Sequence, residues 1–475
     1  MRGFSLFYTL MFNRRTFYWY VFSFLVIAWV IYCYNPFLLY FQNDDFTHIL
    51  LSSRGELFQR NSFRPVCDLS IMFDHFLWGN NPAGYHLVNL LLHIICTVLL
   101  FVFSRQIIRL YYGIDKILPA FITAVLFFAY PMHSESVFWI LGRSAILGAI
   151  FCLLFLIFFL KEKRSVINIS ASLVSYALAL LTYESSWVLP VIVLALAAGA
   201  RGLKTFQPKL LRNYFMALAC IFCTYLFFRW KVNSEILGNY EGANFLQFNM
   251  LVLVQNFGKL LLRGFTSYRE IPLLLSIAFG VLTALLASIL YARKQVFIKA
   301  KYILLCFVIA VLPYLSLGID THGTEGERFL YLPSLFVCVL ITIVIMHIPT
   351  KSQVGLTTVF LLVYAAQLYV NAANYRFAGS VVKQTLDEII TMPQNSNITV
   401  EGLPQAQHGA LILTKGLPEA IELYHLDEKN ISLKILSQRS ETLPLNNPYR
   451  TIYLQGVKGY PVKYVFTDSA LVIYR

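Results

Sequence analysis

Apolar runs of about 17–25 residues recur along most of this chain, and that length is what an α-helix needs to cross the hydrocarbon core of a bilayer. Inside lipid every backbone amide must find its partner within the protein, so spanning segments are either helices or strands of a closed barrel. Barrel strands would be short and would alternate apolar with polar side chains; these runs do not alternate. With 58% hydrophobic and 16% aromatic residues and a mean hydropathy of +0.64, the expected fold class is an all-α polytopic membrane protein.

The formal net charge of +14 does not point to a nucleic-acid partner. Lys and Arg collect at alternate helix ends, as the positive-inside rule requires of cytoplasmic loops, and no compact basic domain is present to follow a phosphate backbone. Seven of the eight cysteines lie inside apolar runs, where Cys behaves as a small hydrophobe. Neither a disulfide framework nor a zinc site is indicated, since Cys220 and Cys223 fall within a span.

Reading from the amino end, Arg14 and Arg15 precede a first span at about 16–40, expected to be an uncleaved anchor with its N-terminus in the cytoplasm. An outward loop follows at 41–85, in which Phe73, Phe76 and Trp78 suit the membrane interface. Further spans are expected at about 86–104 and 117–131, then one descending to Lys161–Arg164 and one at 166–182. A sixth returns to Arg201, and a seventh emerges near Arg229. Residues 246–265 are apolar but carry Lys259 and Arg263. If they spanned, Arg293, Lys294, Lys299 and Lys301 would lie outside, so the segment is expected to rest in the outer interface. Spans at about 272–292, 302–318, 330–348 and 354–372 bring the total to about eleven. Residues 1–372 thus form the membrane domain. Residues 373–475 read as a small outward α/β domain, with strand-like runs at Ala410–Leu413 and Lys463–Phe466.

On this topology Asp44/Asp45, Arg64, His133/Glu135, Arg143, Glu184 and Glu327/Arg328 all fall at or near outward helix ends. Ionisable groups at membrane depth are costly, so their gathering on one side suggests a single polar site. Asn43 or Asp44 could cap a helix starting near Phe46. Alternatively, two close carboxylates raise each other's proton affinity, and one can act as a general base; Asp45 is slightly favoured. Arg143 needs a buried partner, with Glu135 or a bound phosphate as candidates. Arg64 and Arg328 offer guanidinium forks for phosphate, or ion pairs to acids of the same cluster. No metal site is required; if a divalent cation is used, Asp45, His133 and Glu135 are its candidate ligands. His86, Asn89 and His93 share one helical face, a pattern better suited to interhelical hydrogen bonds than to metal. Asn-x-Ser/Thr triplets at Asn168, Asn397 and Asn430 are too short to carry weight.

The order of segments is informative: Asn43–Asp45, Phe63-Arg-Pro65, Trp78–His93, Pro131–Arg143, Tyr183–Pro190 and Glu327-Arg-Phe-Leu-Tyr-Leu-Pro-Ser334. It resembles the polytopic GT-C glycosyltransferases, in particular the membrane half of the O-mannosyltransferases that carry tetratricopeptide repeats. The likeness runs over about residues 16–372. Three departures stand out. Tyr130-Pro-Met-His133 lacks the first His of a His-Pro-x-His run, Tyr183-Glu184 replaces Lys-Glu, and the repeats are absent. The resemblance implies an inverting transfer of a sugar from a polyprenyl-phosphate donor to a hydroxyl on a protein, lipid or glycan. A loop Asp would be the base, and arginines would hold the leaving phosphate. It implies a site facing the periplasm of a bacterial inner membrane, or alternatively the endoplasmic reticulum lumen. A transporter or flippase for lipid-linked saccharides is the competing reading, although no inverted repeat is evident. A non-catalytic membrane scaffold is the third.

Overall fold

The computed structural model describes residues 27–56, 63–113, 115, 117–161, 165–199, 208–233, 249–292, 294–391, 399–401, 403–424, 434–435, 438–439, 463–466 and 471–474. Arg14, Arg15, residues 16–26, Arg201, Arg293, Asn397 and Asn430 lie outside them. Among the described residues, six helices are long and apolar enough to cross a membrane: Pro82–Tyr112, Ile140–Phe159, Leu211–Val232, Leu273–Ala292, Glu327–Ile345 and Ser352–Asp387. A seventh crossing is formed if Ile117–Phe128 and Pro131–Phe138, bent by 53°, count as one. Shorter apolar helices at Ile27–Leu38, Val166–Thr182, Glu184–Gly199 and Ala300–Tyr314 coincide with the remaining expected spans.

Burial sorts these helices into a centre and a rim. Ile140–Phe159 and Glu327–Ile345 are 89% and 94% buried within the protein, whereas Leu211–Val232 and Leu273–Ala292 are 17% buried. A helix apolar all round belongs either in a core or in lipid, so the first two form the packed centre and the others face the bilayer.

The bend at residues 129–130 arises because Pro131 has no amide to continue the ladder. Backbone freed at membrane depth must be satisfied by other protein groups. Here Tyr34 does so, its hydroxyl donating to the Phe128 carbonyl at 3.0 Å, while Asn371 ties the far side of the bend by donating to the Pro131 carbonyl at 3.1 Å and to Ser134 Oγ at 2.8 Å.

Residues Met250–Arg263 form a 14-residue helix, about 21 Å at 1.5 Å per residue. Met250, Leu251 and Val254 are exposed, while Asn256, Leu260 and Arg263 point inward. The last membrane helix is longer than expected: it runs unbroken from Thr350 to Thr391, so the anticipated boundary at 373 falls in its interior. Beyond it, Thr399–Glu401 pairs in parallel with Lys434–Ile435 and Lys463–Phe466, and the latter pairs antiparallel with Leu471–Tyr474. A short hairpin (Ala406–Gln407 with Ala410–Leu411) and the helix Leu417–Leu423 complete the described part of this region. That helix packs against the helix Asp45–Ser53 of the first outer loop.

Candidate active site

Asn43, Asp44 and Asp45 form the turn that starts the Asp45–Ser53 helix. Asp44 occupies the N-cap position, yet its side chain makes no capping hydrogen bond; it accepts instead from Asn43 Nδ2 at 2.8 Å. Asp45 is 1% exposed and its Oδ2 accepts the Gln42 amide at 2.9 Å. Burial pushes the Asp45 carboxyl well above the usual carboxylate range. The Asp44 charge adds to the rise, while the Gln42 and Leu141 backbones and Arg143 oppose it. Asp44 is half-buried. Of the two carboxylates, Asp44 is the more exposed and Asp45 the buried one.

The arginines are each held by an acid. Arg64 grips Glu184 with Nε at 2.9 Å and Nη2 at 2.7 Å, the bidentate geometry a guanidinium fork favours. Arg328 pairs with Glu135 through its side chain, and its backbone amide donates to the same carboxylate at 2.8 Å. The partner expected for Arg143, Glu135, is thus taken. Arg143 instead meets Asp74 at 2.5 Å, Asn89 Oδ1 at 2.6 Å and the Tyr85 carbonyl at 3.0 Å. Gly142 makes this close start to the Arg143–Phe159 helix feasible, because a Cβ there would collide with the Glu135 carbonyl and the Ser136 backbone. Glu327 is fully buried and bound by Arg263 at 2.5 Å. His133, also buried, contacts Ser334 Oγ through Nε2 at 2.7 Å.

These contacts join the groups in one continuous chain. Asp44 accepts the His48 amide at 3.3 Å through its carbonyl, and His48 lies 3.8 Å from Asp68. Asp68 is one helical turn beyond Arg64. The Arg64 guanidinium stacks 4.7 Å from the Tyr183 ring centroid. Tyr183, Tyr314 and Phe329 then follow with centroids 6.2 and 4.8 Å apart, and Arg328 lies 4.7 Å from the Phe329 ring. Of the nine residues proposed from sequence, Asp44, Arg64, Glu184 and Arg328 are half-exposed, while Asp45, His133, Glu135, Arg143 and Glu327 are buried. Arg143 therefore cannot meet a phosphate without leaving Asp74.

Asp45, His133 and Glu135 are each engaged elsewhere, and among the described residues no three His, Cys, Asp or Glu side chains converge as metal ligands. The candidate cation set is not assembled. His86, Asn89 and His93 make interhelical hydrogen bonds: His86 to the Tyr40 carbonyl, Asn89 to Arg143 and the Trp139 carbonyl, His93 to Tyr331.

Sequence reasoning passed over Asp68 and Asp74 and gave Arg263 no role in the site. A signal existed for Asp74. Leu69, Phe73, Phe76 and Leu77 form the exposed stripe of the Pro65–Trp78 helix, so an acid at 74 falls on the inward face with Cys67 and Ile71 and demands a cation. Arg263 similarly ends the buried face of its helix, but its partner lies 64 residues away.

Asp68 offers a pH test. Burial raises its carboxyl to about 7 against the opposing pull of Arg64, and burial together with Arg64 lowers His48 to about 3, so His48 is neutral and their contact is not an ion pair near neutrality. A carboxyl whose folded pKa is raised contributes stability that is fully present below its unfolded value of ~3.9 and is lost as pH rises through about 7. Asp68→Asn should therefore gain stability relative to wild type as pH increases from 4 to 8. Apparent unfolding temperatures across that range in detergent check this; a constant difference would refute it.

No family model matches the chain. In sequence it is similar to protein O-mannosyl-transferase TMTC1 of Mus musculus, with 40% identity over 104 residues covering 22% of this chain and 10% of that protein. With TMTC2 of Mus musculus the identity is 35% over 119 residues, covering 25% and 13%. With protein O-mannosyl-transferase F38B6.6 of Caenorhabditis elegans it is 23% over 358 residues, covering 69% and 49%. The chain thus spans half or less of the length of these relatives. In fold it is similar to ArnT from Cupriavidus metallidurans in the apo state, with a TM-score of 0.51 at 12% identity over 84% of each chain. The chain is an integral membrane protein with a GT-C fold, and its sequence resembles the protein O-mannosyl-transferases.

Proposed function

We propose that the chain is a membrane glycosyltransferase that moves a sugar, with inversion, from a polyprenyl-phosphate carrier to a hydroxyl acceptor on the extracytoplasmic face. The observation that supports this reading is that a partly exposed carboxylate, Asp44, and two partly exposed arginines, Arg64 and Arg328, belong to segments joined by one line of contacts. Asp44 takes the acceptor hydroxyl proton as that oxygen attacks the anomeric carbon. The bond from that carbon to the phosphate oxygen breaks, and the electron pair leaves with the lipid phosphate, which needs no proton. Arg64 and Arg328 face the charge that develops on the phosphate, the arrangement by which fixed donors stabilise a transition state. Glu184 and Glu135 keep both guanidinium groups oriented before the donor arrives.

The names of the relatives favour mannose as the first sugar to test. The acceptor is a hydroxyl on protein, lipid or glycan. The compartment is either the periplasmic face of a bacterial inner membrane or the endoplasmic reticulum lumen. The experiment is transfer of labelled sugar from polyprenyl-phosphate mannose and glucose donors by the purified protein. Label released from the donor with at least one sugar supports the reading. Intact donor with every sugar, combined with its movement across proteoliposomes, would replace it with the transporter reading.

A further inference from the structure

The stretch Gln405–Tyr424 touches two of the loops that carry the proposed chemistry. At one end the Thr324 amide donates to the His408 carbonyl at 2.8 Å, three residues before Glu327–Arg328. His408 Nδ1 lies 2.9 Å from Glu270, and Gly409 sits so close to the Thr324 backbone that no Cβ could fit. At the other end the same stretch encloses Asn43. The Asn43 amide donates to the Ile412 carbonyl at 2.7 Å. Its Oδ1 accepts from the Lys415 amide at 2.8 Å and from the Thr414 hydroxyl. Gly416, at φ +83°, presses against the Asn43 carbonyl where a Cβ would collide.

Asn43 itself is in the left-handed region, φ +47°, a conformation that costs a non-glycine residue and persists only when its surroundings over-determine it. Two donors on Oδ1 also fix which way the amide group faces: its nitrogen must point at Asp44, to which it donates at 2.8 Å. A chain of hydrogen bonds therefore runs from Lys415 and Thr414 through Asn43 to the Asp44 carboxylate.

We propose that residues Ile412–Gly416 are a positioning element of the active site, setting the orientation of Asp44 through Asn43; this rests on the reading of Asp44 as the base. The region after the last membrane helix is then not an appended module but a part of the catalytic geometry. A base displaced by about 1 Å can lose roughly 10²-fold in rate. Asn43→Gly keeps the left-handed backbone and deletes the relay; Thr414→Val deletes one donor and keeps the shape.

The test is a double-mutant cycle in the full chain, with kcat and donor KM measured separately and hydrogen exchange of the Asp45–His48 amides followed in parallel. The expected result is a roughly 10²-fold lower kcat for Asn43→Gly and a several-fold loss for Thr414→Val, at unchanged donor KM. The double variant should be no worse than Asn43→Gly alone, since one relay is broken twice. Thr414→Val should also speed exchange at Asp45–His48, a readout that stands even if no transfer is found in wild type. Wild-type exchange rates in Thr414→Val would overturn the proposal. So would kcat losses that multiply in the double variant, or an effect confined to unfolding temperature.

Discussion

Asp44→Asn is expected to lower sugar transfer by about 10²–10⁴-fold, the range a positioned general base contributes, with the protein remaining folded. Asp44 makes no capping bond and is partly exposed, and an isosteric amide keeps an oxygen that can accept from Asn43 Nδ2. Asn at position 44 keeps the size but cannot take the acceptor proton. Asp45→Asn should be far milder, because an amide oxygen at that position can still accept the Gln42 amide that Asp45 Oδ2 accepts now. Initial rates at saturating donor for the two variants, normalised to folded protein by size-exclusion chromatography, decide the matter. The reverse ranking would make Asp45 the base and require its buried turn to open in the working enzyme. Equal, wild-type rates would reduce both carboxylates to structural groups.

Arg143→Ala should be strongly destabilising. Arg143 and Asp74 side chains are 0% and 2% exposed and 2.5 Å apart. Removing the guanidinium leaves a carboxylate buried without its cation, and breaking such a pair costs about 3–5 kcal/mol. Replacing both partners, as Arg143→Met with Asp74→Leu, removes the stranded charge together with the pair and should recover much of the loss. Tryptophan fluorescence during heating in detergent provides the comparison. If Arg143→Ala unfolds no earlier than wild type, the pair is not desolvated and the buried floor beneath Asp45 has been misassigned. Activity of the double variant is informative as well: retained transfer would mean that Arg143 supports the site without touching phosphate.

The contrast between Arg143 and the pair Arg64 and Arg328 illustrates what could be read in the chain alone. The period and length of the apolar runs settled the helical membrane class, because a bilayer imposes one spacing on any helix that crosses it. Alternating charge at the helix ends placed Asp44, Arg64, Glu135, Glu184 and Arg328 on one side, and the structure does bring their segments together.

Partner choice was not legible. Arg143 could have met Glu135 or Asp74, and which it meets depends on how the Pro65–Trp78 helix is rotated against the membrane helices. That rotation is set by packing of its whole inward face, and no local spacing records it. The same holds for Arg263 with Glu327 and for Asn43 with Thr414, where residues 64 and 371 positions apart are joined. The sequence by itself therefore determined the medium and the helical class of the fold. The tertiary structure decided which charge pairs with which, and which of those pairs are fully enclosed. Burial is a property of the assembled neighbours, and it separates the enclosed pair Arg143–Asp74 from the partly exposed pair Arg64–Glu184.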